Sequence, residues 1–304
     1  MKLSIQSANI INTDLSNLDE ALSLIKESGF SAIDFNFTEY GHENIKKAER
    51  CPFFERSTEV LISHYKSLVK ACEKFDVEVG QSHAPYPTFV FGADKKFNDY
   101  MYSVVKKTIK ISAALGAKYI VIHPIFSADL TKKLDVKSEN EINIQFYSSL
   151  NNIAKECNIT ICLENMFSNY KGKLYGDICS DAYEAALLID TLNNKAGKEI
   201  FGFCFDSGHC TLASRDPYRT LQVLGDRVKV LHLHDNDGIV DKHLPPFTGV
   251  AYWDSILKGL HDIGYKGNIN FETYKTLDNV SDVDKVSIIK LLGQTGKHII
   301  EKVQ

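Results

Sequence analysis

The sequence lacks the long apolar run that a membrane-spanning helix requires. None of its hydrophobic stretches reaches about 18 consecutive apolar residues, the length that indicates a transmembrane segment. Its first residues, MKLSIQSANI, also lack the basic-then-apolar profile of a signal peptide and instead predict a first β-strand. We therefore expect no membrane partner.

The sequence also lacks an excess of positive charge. It has 35 Lys and Arg residues against 39 Asp and Glu residues, a formal net charge of −4. No global basic field attracts nucleic acid, which argues against such a partner, although a local basic patch stays open.

A pattern of paired cysteines is missing as well. The seven cysteines are odd in number, scattered, and contain no CxxC pair, which fits a reducing cytoplasm. Two of them, Cys162 and Cys204, lie two residues before Glu164 and Asp206, so alternation along a strand puts them on the same face as those carboxylates. We interpret them as small apolar filler inside a barrel.

What the sequence does contain is a regular alternation of short β-rich runs with longer helical segments. Strands are predicted over residues 3–7, 32–35, 78–82, 119–123, 160–164, 201–206, 228–232 and 268–272. Helices are predicted over 17–28, 58–75, 97–115, 141–157, 182–192, 218–224, 253–263 and 283–300. Eight such repeats predict an α/β fold, a (β/α)₈ TIM barrel, which commonly forms one domain of about 250 residues. No linker interrupts the pattern, so residues 1–304 are interpreted as one domain.

Three connections are long for such a barrel. They cover residues 38–57, 166–180 and 236–252, which follow the second, fifth and seventh predicted strands. Loops after strands overhang the active mouth of a barrel, so we expect these to act as lids or to contact substrate.

Residues that bind metals well stand at the ends of six of the apolar runs, which read GQSH, YIVIH, ICLE, FGFCFDSGH, VKVLHLHD and NINFE. The carboxyl ends of barrel strands form one face, so side chains far apart in sequence are predicted to meet there. A lone strand-end histidine is more often a satisfied polar residue, and a lone Asp or Glu can simply cap a helix. Neither alternative predicts agreement across six strands. The candidate ligands are His83, His123, Glu164, Asp206, His209, His232, Asp241, His243 and Glu272.

Four of these residues come from the last four predicted strands: Glu164, Asp206, His232 and Glu272. Three carboxylates and one imidazole suit Mn²⁺, Mg²⁺ or Co²⁺, and Zn²⁺ is also compatible. The anions would repel one another without a cation between them.

The other five candidates are richer in imidazole, which favours zinc and a count of one to three ions. They are His83, His123, His209, Asp241 and His243. His234 and Asp235 are interpreted as residues that orient the ligands. His42, His64 and His261 fall outside the pattern and are interpreted as ordinary surface or loop residues.

Seven motifs closely resemble the xylose isomerase-like TIM-barrel superfamily, also called AP endonuclease family 2. They are QSHAP, VIHP, LEN, GFCFDSGH, HLHDND, DKHLPP and FET, which span residues 81–273. Spaced together they are specific for the superfamily, but they do not name one reaction within it.

The resemblance implies two branches of chemistry. In the sugar isomerases and epimerases, residues matching Glu164, Asp206, His232 and Glu272 hold one divalent metal, and the two glutamates move a proton beside the polarised carbonyl. In the endonuclease IV-like branch, all nine matching positions bind three zinc ions that activate hydroxide against a phosphodiester. Tyr86 also resembles an aromatic residue near the damaged-DNA contact in that branch.

Two departures favour the sugar branch. Ile125 replaces a glycine of the endonuclease branch, and Phe247 lies where a Gly-x-Gly segment is common, so a bulky ring is expected to obstruct close approach of a phosphate. No basic cluster marks a phosphate pocket, with Arg215 and Lys173 the only candidates.

The sequence therefore predicts a divalent-metal-dependent isomerase or epimerase of a sugar or related polyol, with Glu164 and Glu272 catalytic. The alternatives are a multi-zinc phosphodiesterase acting on abasic DNA, a lyase acting on an oxidised sugar, and a non-catalytic sugar-binding barrel. A small-molecule sugar or polyol is the expected partner, and a homo-oligomer stays open.

Overall fold

The short apolar runs form strands in this computed structural model, which describes residues 1–127 and 129–304. Eight of the strands form one parallel sheet, and the other two form an antiparallel hairpin. The strands are β1 (Leu3–Gln6), β2 (Ala32–Asn36), β3 (Glu78–His83), β4 (Tyr119–Val121), β5 (Thr160–Glu164), β6 (Phe167–Tyr170), β7 (Lys173–Gly176), β8 (Phe201–Asp206), β9 (Val228–His232) and β10 (Ile269–Phe271).

The sheet runs β10-β1-β2-β3-β4-β5-β8-β9, so each strand lies beside its neighbour in sequence once the hairpin β6–β7 is set aside. Its two ends meet in a parallel bridge between Leu233 and Phe271, where Leu233 N donates to Asn270 O at 2.9 Å. The predicted (β/α)₈ barrel is thereby confirmed.

Helices surround the barrel. They are α1 (Leu18–Glu27), α2 (His42–Lys46), α3 (Pro52–Glu55), α4 (Thr58–His64), α5 (Lys66–Phe75), α6 (Lys95–Ala114), α7 (Val136–Ser149), α8 (Asn151–Cys157), α9 (Ala182–Ala196), α10 (Ser207–Leu212), α11 (Pro217–Leu224), α12 (Trp253–Asp262) and α13 (Asp282–Val303). Short 3₁₀ turns cover Thr38–Tyr40, Leu130–Lys132, Gly225–Arg227 and Tyr274–Leu277. Among the described residues, no helix has the length and apolar character needed to cross a bilayer.

Two predicted helices are each divided in the structure. The helix expected over residues 58–75 breaks at Tyr65, and the one expected over 141–157 begins earlier and breaks at Leu150. Both residues have φ near −90° and ψ near 0°, so the helical periodicity continues with only a local change of direction. The sequence pattern therefore cannot reveal the breaks.

The segment over residues 166–180, predicted as a loop, contains a β-hairpin in the structure. Most of it forms the hairpin β6–β7, in which Phe167 pairs with Gly176 and Tyr170 with Lys173. The tight turn is made by Lys171 and Gly172, which both have positive φ. A two-stranded hairpin therefore follows β5 at the carboxyl end of the barrel.

Small buried side chains form a layer inside the barrel. Val121, Cys162, Cys204 and Val230 form one cluster and are each at most 3% exposed. Each lies two residues before a candidate ligand, so alternation directs both members of each pair into the barrel. The predicted filler role of the two cysteines agrees with this placement, and burial raises the pKa of Cys162 and Cys204.

The last helix approaches the end of α1 closely because it carries glycine at the contact. A Cβ atom on Gly293 of α13 would lie 1.8 Å from the carbonyl oxygen of Ser28, which follows α1. The contact ties the end of the chain to its first repeat.

Candidate metal centre and active site

The structure brings all nine candidate ligands to the carboxyl end of the barrel. His83, Glu164, Asp206 and His232 are the last residues of β3, β5, β8 and β9, and Glu272 directly follows β10. The other four lie just beyond strand ends: His123 after β4, His209 in α10, and Asp241 and His243 in the loop after β9.

The four candidates from the last strands form the centre of the cluster. Glu164, Asp206, His232 and Glu272 are buried, and each offers a ligand atom within 4.8 Å of the others. His232 Nδ1 lies 3.4 Å from Glu164 Oε1, 3.5 Å from Glu272 Oε2 and 4.0 Å from Asp206 Oδ2. One imidazole nitrogen thus faces three carboxylates.

Asp206 combines a structural and a site role. Its Oδ1 accepts a 2.6 Å hydrogen bond from His209 N and so caps α10, whereas Oδ2 lies 3.0 Å from His234 Nε2. Asn165 Nδ2 donates to Asp206 O, and Asp206 N donates to Asn165 Oδ1. These bonds lock the ends of β5 and β8 together and fix the carboxylate.

His83 and His123 lie on the other side of Glu164. Their Nε2 atoms are 3.0 Å apart, and His123 Nε2 is 3.1 Å from Glu164 Oε2. His83 Nδ1 is 2.7 Å from the carbonyl of Ala84, which can only accept, so a neutral His83 carries its hydrogen on Nδ1. The lone pair of His83 Nε2 then faces His123 and Glu164.

The remaining candidates form a third group at the edge of the cluster. His243 Nδ1 is 2.7 Å from the carbonyl of Glu272, and His243 Nε2 is 2.7 Å from Asp241 Oδ2. His209 contacts the centre, since its Nδ1 lies 3.2 Å from Glu164 Oε1. His234 stacks on His243 with ring centroids 4.1 Å apart and shares the group with Asp241.

The cluster fits a bound cation because lone pairs face one another when the imidazoles are neutral. A neutral His243 that donates from Nδ1 directs its Nε2 lone pair at a carboxylate 2.7 Å away. Both carboxylate oxygens of Glu164 and both ring nitrogens of His232 are buried without a hydrogen-bond partner among the described residues. Such buried groups need a positive charge or a proton between them.

The carboxylates of the cluster favour protonated forms of two of its imidazoles. Burial lowers the pKa of His209, but the charge of Asp206 and the contact with Glu164 outweigh it and raise the pKa to about 10. Burial likewise lowers the pKa of His234, and Asp206 raises it to about 9. For Glu164, burial raises the pKa, yet the charges of His232 and His123 bring it well below its usual range.

Two residues of the site were missed by the sequence analysis. Asp34 is fully buried in β2, and its Oδ2 lies 3.2 Å from His232 Nε2 while accepting hydrogen bonds from Gln81 and Asn270. Gln6, at the end of β1, donates from Nε2 to Glu272 Oε1 at 2.5 Å. A charged residue inside the apolar run AIDFN was the available signal for Asp34.

A cavity of about 710 Å³ covers the cluster. Aromatic rings form part of its wall: Tyr86 lies 4.7 Å from the ring of His123, Phe167 of the hairpin 5.0 Å from His209, and Tyr274 4.6 Å from His243, as centroid distances. His42, interpreted as an ordinary surface or loop residue, also lines the cavity.

Two further expectations about side chains are corrected. Phe247 is 45% exposed, packs on Trp253 with centroids 4.8 Å apart and does not line the cavity, so it does not obstruct the site. Arg215 is 3.4 Å from Ser180 Oγ in a separate cleft, which removes it as a phosphate ligand at the centre.

The loop carrying Phe247 is held by hydrogen bonds to Asp235. Its carboxylate accepts from Gly249 N, Ala251 N and Trp253 Nε1 at 2.7–3.0 Å. Asp235 therefore shapes residues 236–253, whereas His234 contacts the cluster directly.

The fold and the site define a (β/α)₈ barrel whose mouth is lined with carboxylates and imidazoles. The chain belongs to the xylose isomerase-like TIM-barrel family, which it matches over residues 22–286. The predicted family membership is confirmed.

Curated relatives include two of different kinds. The "Uncharacterized protein y4fM" of Sinorhizobium fredii is 27% identical over 263 residues, which cover 83% of this chain and 80% of that protein. The "Probable endonuclease 4" of Mycoplasmoides gallisepticum is 27% identical over 206 residues, 65% of this chain and 61% of that protein.

Solved structures share the fold at lower identity. An L-ribulose 3-epimerase has a TM-score of 0.71 at 15% identity, covering 100% of this chain and 98% of that one. A D-tagatose 3-epimerase-like protein has a TM-score of 0.66 at 22% identity with 100% of both chains covered. The IOLI protein with a bound zinc atom has a TM-score of 0.66 at 18% identity, covering 100% and 98%.

Proposed function

We propose that the protein is a divalent-metal-dependent isomerase or epimerase of a sugar or related polyol. The observation that carries this proposal is the convergence of Glu164, Asp206, His232 and Glu272, whose ligand atoms lie within 4.8 Å of one another. The sugar 3-epimerases of the same fold support it, and the zinc atom of the IOLI protein supports a metal.

Asp206 and His232 complete the primary metal site with the two glutamates, and Zn²⁺ or Mn²⁺ suits this donor set best. When bound, the cation polarises the substrate carbonyl and lowers the pKa of the adjacent C–H. The charge of Asp34, whose Oδ2 lies 3.2 Å from His232 Nε2, favours hydrogen on that ring nitrogen and so leaves Nδ1 as a ligand.

Glu164 and Glu272 move the proton at the carbon beside the carbonyl. Their carboxylate oxygens lie 3.4 and 3.5 Å from His232 Nδ1, so both carboxylates are close to a substrate held beside that nitrogen. Gln6 holds Glu272 Oε1, which leaves Oε2 to take or return a proton. His83, His123, His209, Asp241 and His243 bind a second or third ion or orient sugar hydroxyls.

The test is substitution of each glutamate by glutamine, which keeps size but cannot accept a proton. We expect Glu272→Gln and Glu164→Gln to lower solvent-deuterium incorporation into a keto sugar by about 10²–10⁴-fold. Glu78→Gln is the matched control, because Glu78 begins β3 at the opposite end of the barrel. Full exchange by Glu272→Gln with metal content unchanged would refute the two-base mechanism.

A second candidate is a multi-zinc phosphodiesterase acting on abasic DNA. It is favoured by one observation, the linked groups that the nine candidates form at one end of the barrel, together with the relative named "Probable endonuclease 4". Incubation of zinc-loaded protein with an abasic duplex, and with the intact duplex as control, decides between the two. Efficient nicking at the abasic site with three zinc ions per chain would replace our preference.

A further inference from the structure

The cavity is larger than one sugar unit at the cluster of candidate ligands requires. Its volume of about 710 Å³ lies in the upper part of the range of about 300–1,000 Å³ that is usual for pockets holding drug-sized ligands. A single hexose is smaller than such ligands. The cavity therefore has room for a second group beyond the one that reaches the cluster.

Part of the cavity wall is formed by residues at the end of β2 and in the loops after β1 and β2, none of which is among the nine candidate ligands. We call this part the distal arm. It is lined by Asn9, Asn36, Thr38, Glu39, His42 and Lys46. Tyr86 lines the cavity between the two parts, because its ring lies 4.7 Å from His123 and its carbonyl oxygen 3.3 Å from His42 Nδ1.

The distal arm offers donors and acceptors side by side. Asn36 Oδ1 accepts from Thr38 N at 2.7 Å, which leaves the amide N–H groups of Asn36 to donate to a ligand. His42 Nδ1 lies next to the carbonyl of Tyr86 and so carries the hydrogen of a neutral ring, leaving Nε2 as an acceptor. Glu39 adds a carboxylate. Hydroxyl groups suit such a surface because each both donates and accepts.

The charges of the distal arm disfavour a phosphate. Partial burial raises the pKa of Glu39 and the carboxylate of Asp278 raises it further, against a backbone hydrogen bond from Asn9 that lowers it. Asp278 also accepts from Asn9 Nδ2 at 2.7 Å, so two carboxylates stand at this end. Lys46 and Lys275 also line the cavity, but Lys275 Nζ lies 3.1 Å from Asp241 Oδ2. The two ammonium groups therefore meet the carboxylates of Glu39, Asp278 and Asp241 and leave no net positive field for a dianion.

We propose that the distal arm binds a neutral, hydroxyl-rich second group, so that the substrate is a glycoside or disaccharide rather than a free monosaccharide or a sugar phosphate. This proposal rests on the proposed function, because the four central candidate ligands must act on the sugar unit that reaches them. Glu39 and Asn36 then determine specificity without touching the reacting carbon.

The test compares three forms of one keto sugar with metal-loaded protein: the free sugar, its β-glucoside and its phosphate ester. We expect kcat/KM to be at least tenfold higher for the glucoside than for either other form. Glu39→Leu should lower that value tenfold or more through KM and leave the free sugar unchanged. Glu43→Gln is the matched control, since Glu43 is an exposed residue of α2 that does not line the cavity.

Binding measured by calorimetry separates this proposal from the proposed function. Binding of the glucoside that is lost in Glu39→Leu, without turnover of any form, would support the distal arm and refute the isomerase. Equal kcat/KM for the glucoside and the free sugar, with no effect of Glu39→Leu, would overturn the distal arm alone. A preference for the phosphate ester would overturn it as well.

Discussion

At the scale of single residues, the site depends on side chains that do not touch the candidate cation. Asp34 is the clearest case, because it is a fully buried carboxylate whose Oδ2 is 3.2 Å from His232 Nε2. Partners of this kind fix the tautomer and orientation of a metal-binding imidazole. Asp34 is thus a positioning residue for His232.

We expect Asp34→Asn to weaken metal binding by about 10–100-fold, because an amide no longer favours hydrogen on His232 Nε2. Competition with a chromophoric chelator measures the change. Asp254→Asn serves as control, since Asp254 is exposed in the first turn of α12. Unchanged affinity in Asp34→Asn would show that His232 is oriented by other contacts.

Glu139 in α7 makes stability depend on pH. Burial raises the pKa of Glu139 to about 7, with Asp177 and Glu184 raising it and Lys133 lowering it. The unfolded value is about 4.3, so the folded state holds the proton more tightly. The stabilisation from this group is fully present below pH of about 4.3 and is lost as the pH rises through about 7.

Glu139→Gln should therefore remove part of the loss of stability between pH 4 and pH 7. Urea unfolding at a series of pH values gives the free energy of unfolding for each protein. The control is Glu141→Gln in the same helix, whose side chain is exposed. The same slope in wild type and Glu139→Gln would contradict this prediction.

At the scale of elements, the hairpin β6–β7 forms a wall of the cavity that is fastened at its base. Asp177 accepts from Ser168 Oγ and from Lys133 Nζ, the latter at 2.9 Å, and Lys133 also lies over the ring of Tyr175. The segment after β4 is thus tied to the hairpin. The tie holds Phe167 against the cluster.

Asp177→Asn should release this tie and raise KM more than it lowers kcat, because the wall moves while the cluster is intact. Limited trypsin digestion should cleave faster at Lys171 or Lys173 in the hairpin. Asp190→Asn breaks a comparable pair with Arg227 elsewhere and should leave both results unchanged. Slow cleavage in Asp177→Asn would mean that the strand pairing alone holds the hairpin.

Elements were predictable where a physical pattern is local. The bounds of β5, β8 and β9 match the prediction because each apolar run ends abruptly at Glu164, Asp206 or His232. The hairpin was missed because its strands are short and mostly half-buried or exposed, so they carry little apolar periodicity.

Contacts between distant parts of the chain could not be predicted in the same way. Gln6 meets Glu272 across the closure of the barrel, and His42 enters the cavity through a short helix in a long loop. Such contacts depend on how the segments after the strands pack against one another, which no local sequence pattern encodes. The nine candidate ligands could be predicted from the sequence because strand ends must converge in this fold.

At the scale of the whole molecule, a cation at the cluster should stabilise the fold. It joins side chains from strands β5, β8 and β9 and from the residue after β10, which lie far apart in an unfolded chain. A ligand that binds only the folded state adds about 2.7 kcal/mol when its free concentration is a hundredfold above Kd.

Removal of metal with a chelator should therefore lower Tm, and Zn²⁺ or Mn²⁺ should restore it. Calorimetry of the chelated and refilled protein measures both steps. The triple variant Glu164→Gln, Asp206→Asn and Glu272→Gln should show a much smaller rise of Tm on addition of metal. An equal rise of Tm in that variant would place the binding site elsewhere.

The join between β9 and β10 has one more consequence. Where the other neighbouring strands of the barrel pair over several residues, these two meet through Leu233 and Phe271 among the residues that the structure describes. His232 and Glu272 lie beside this pairing, one on each chain segment. An ion held by both would therefore cross-link β9 and β10 where they share few backbone hydrogen bonds. Amide hydrogen exchange in residues 228–233 and 269–272, which reports local opening of the barrel, should slow when metal is added.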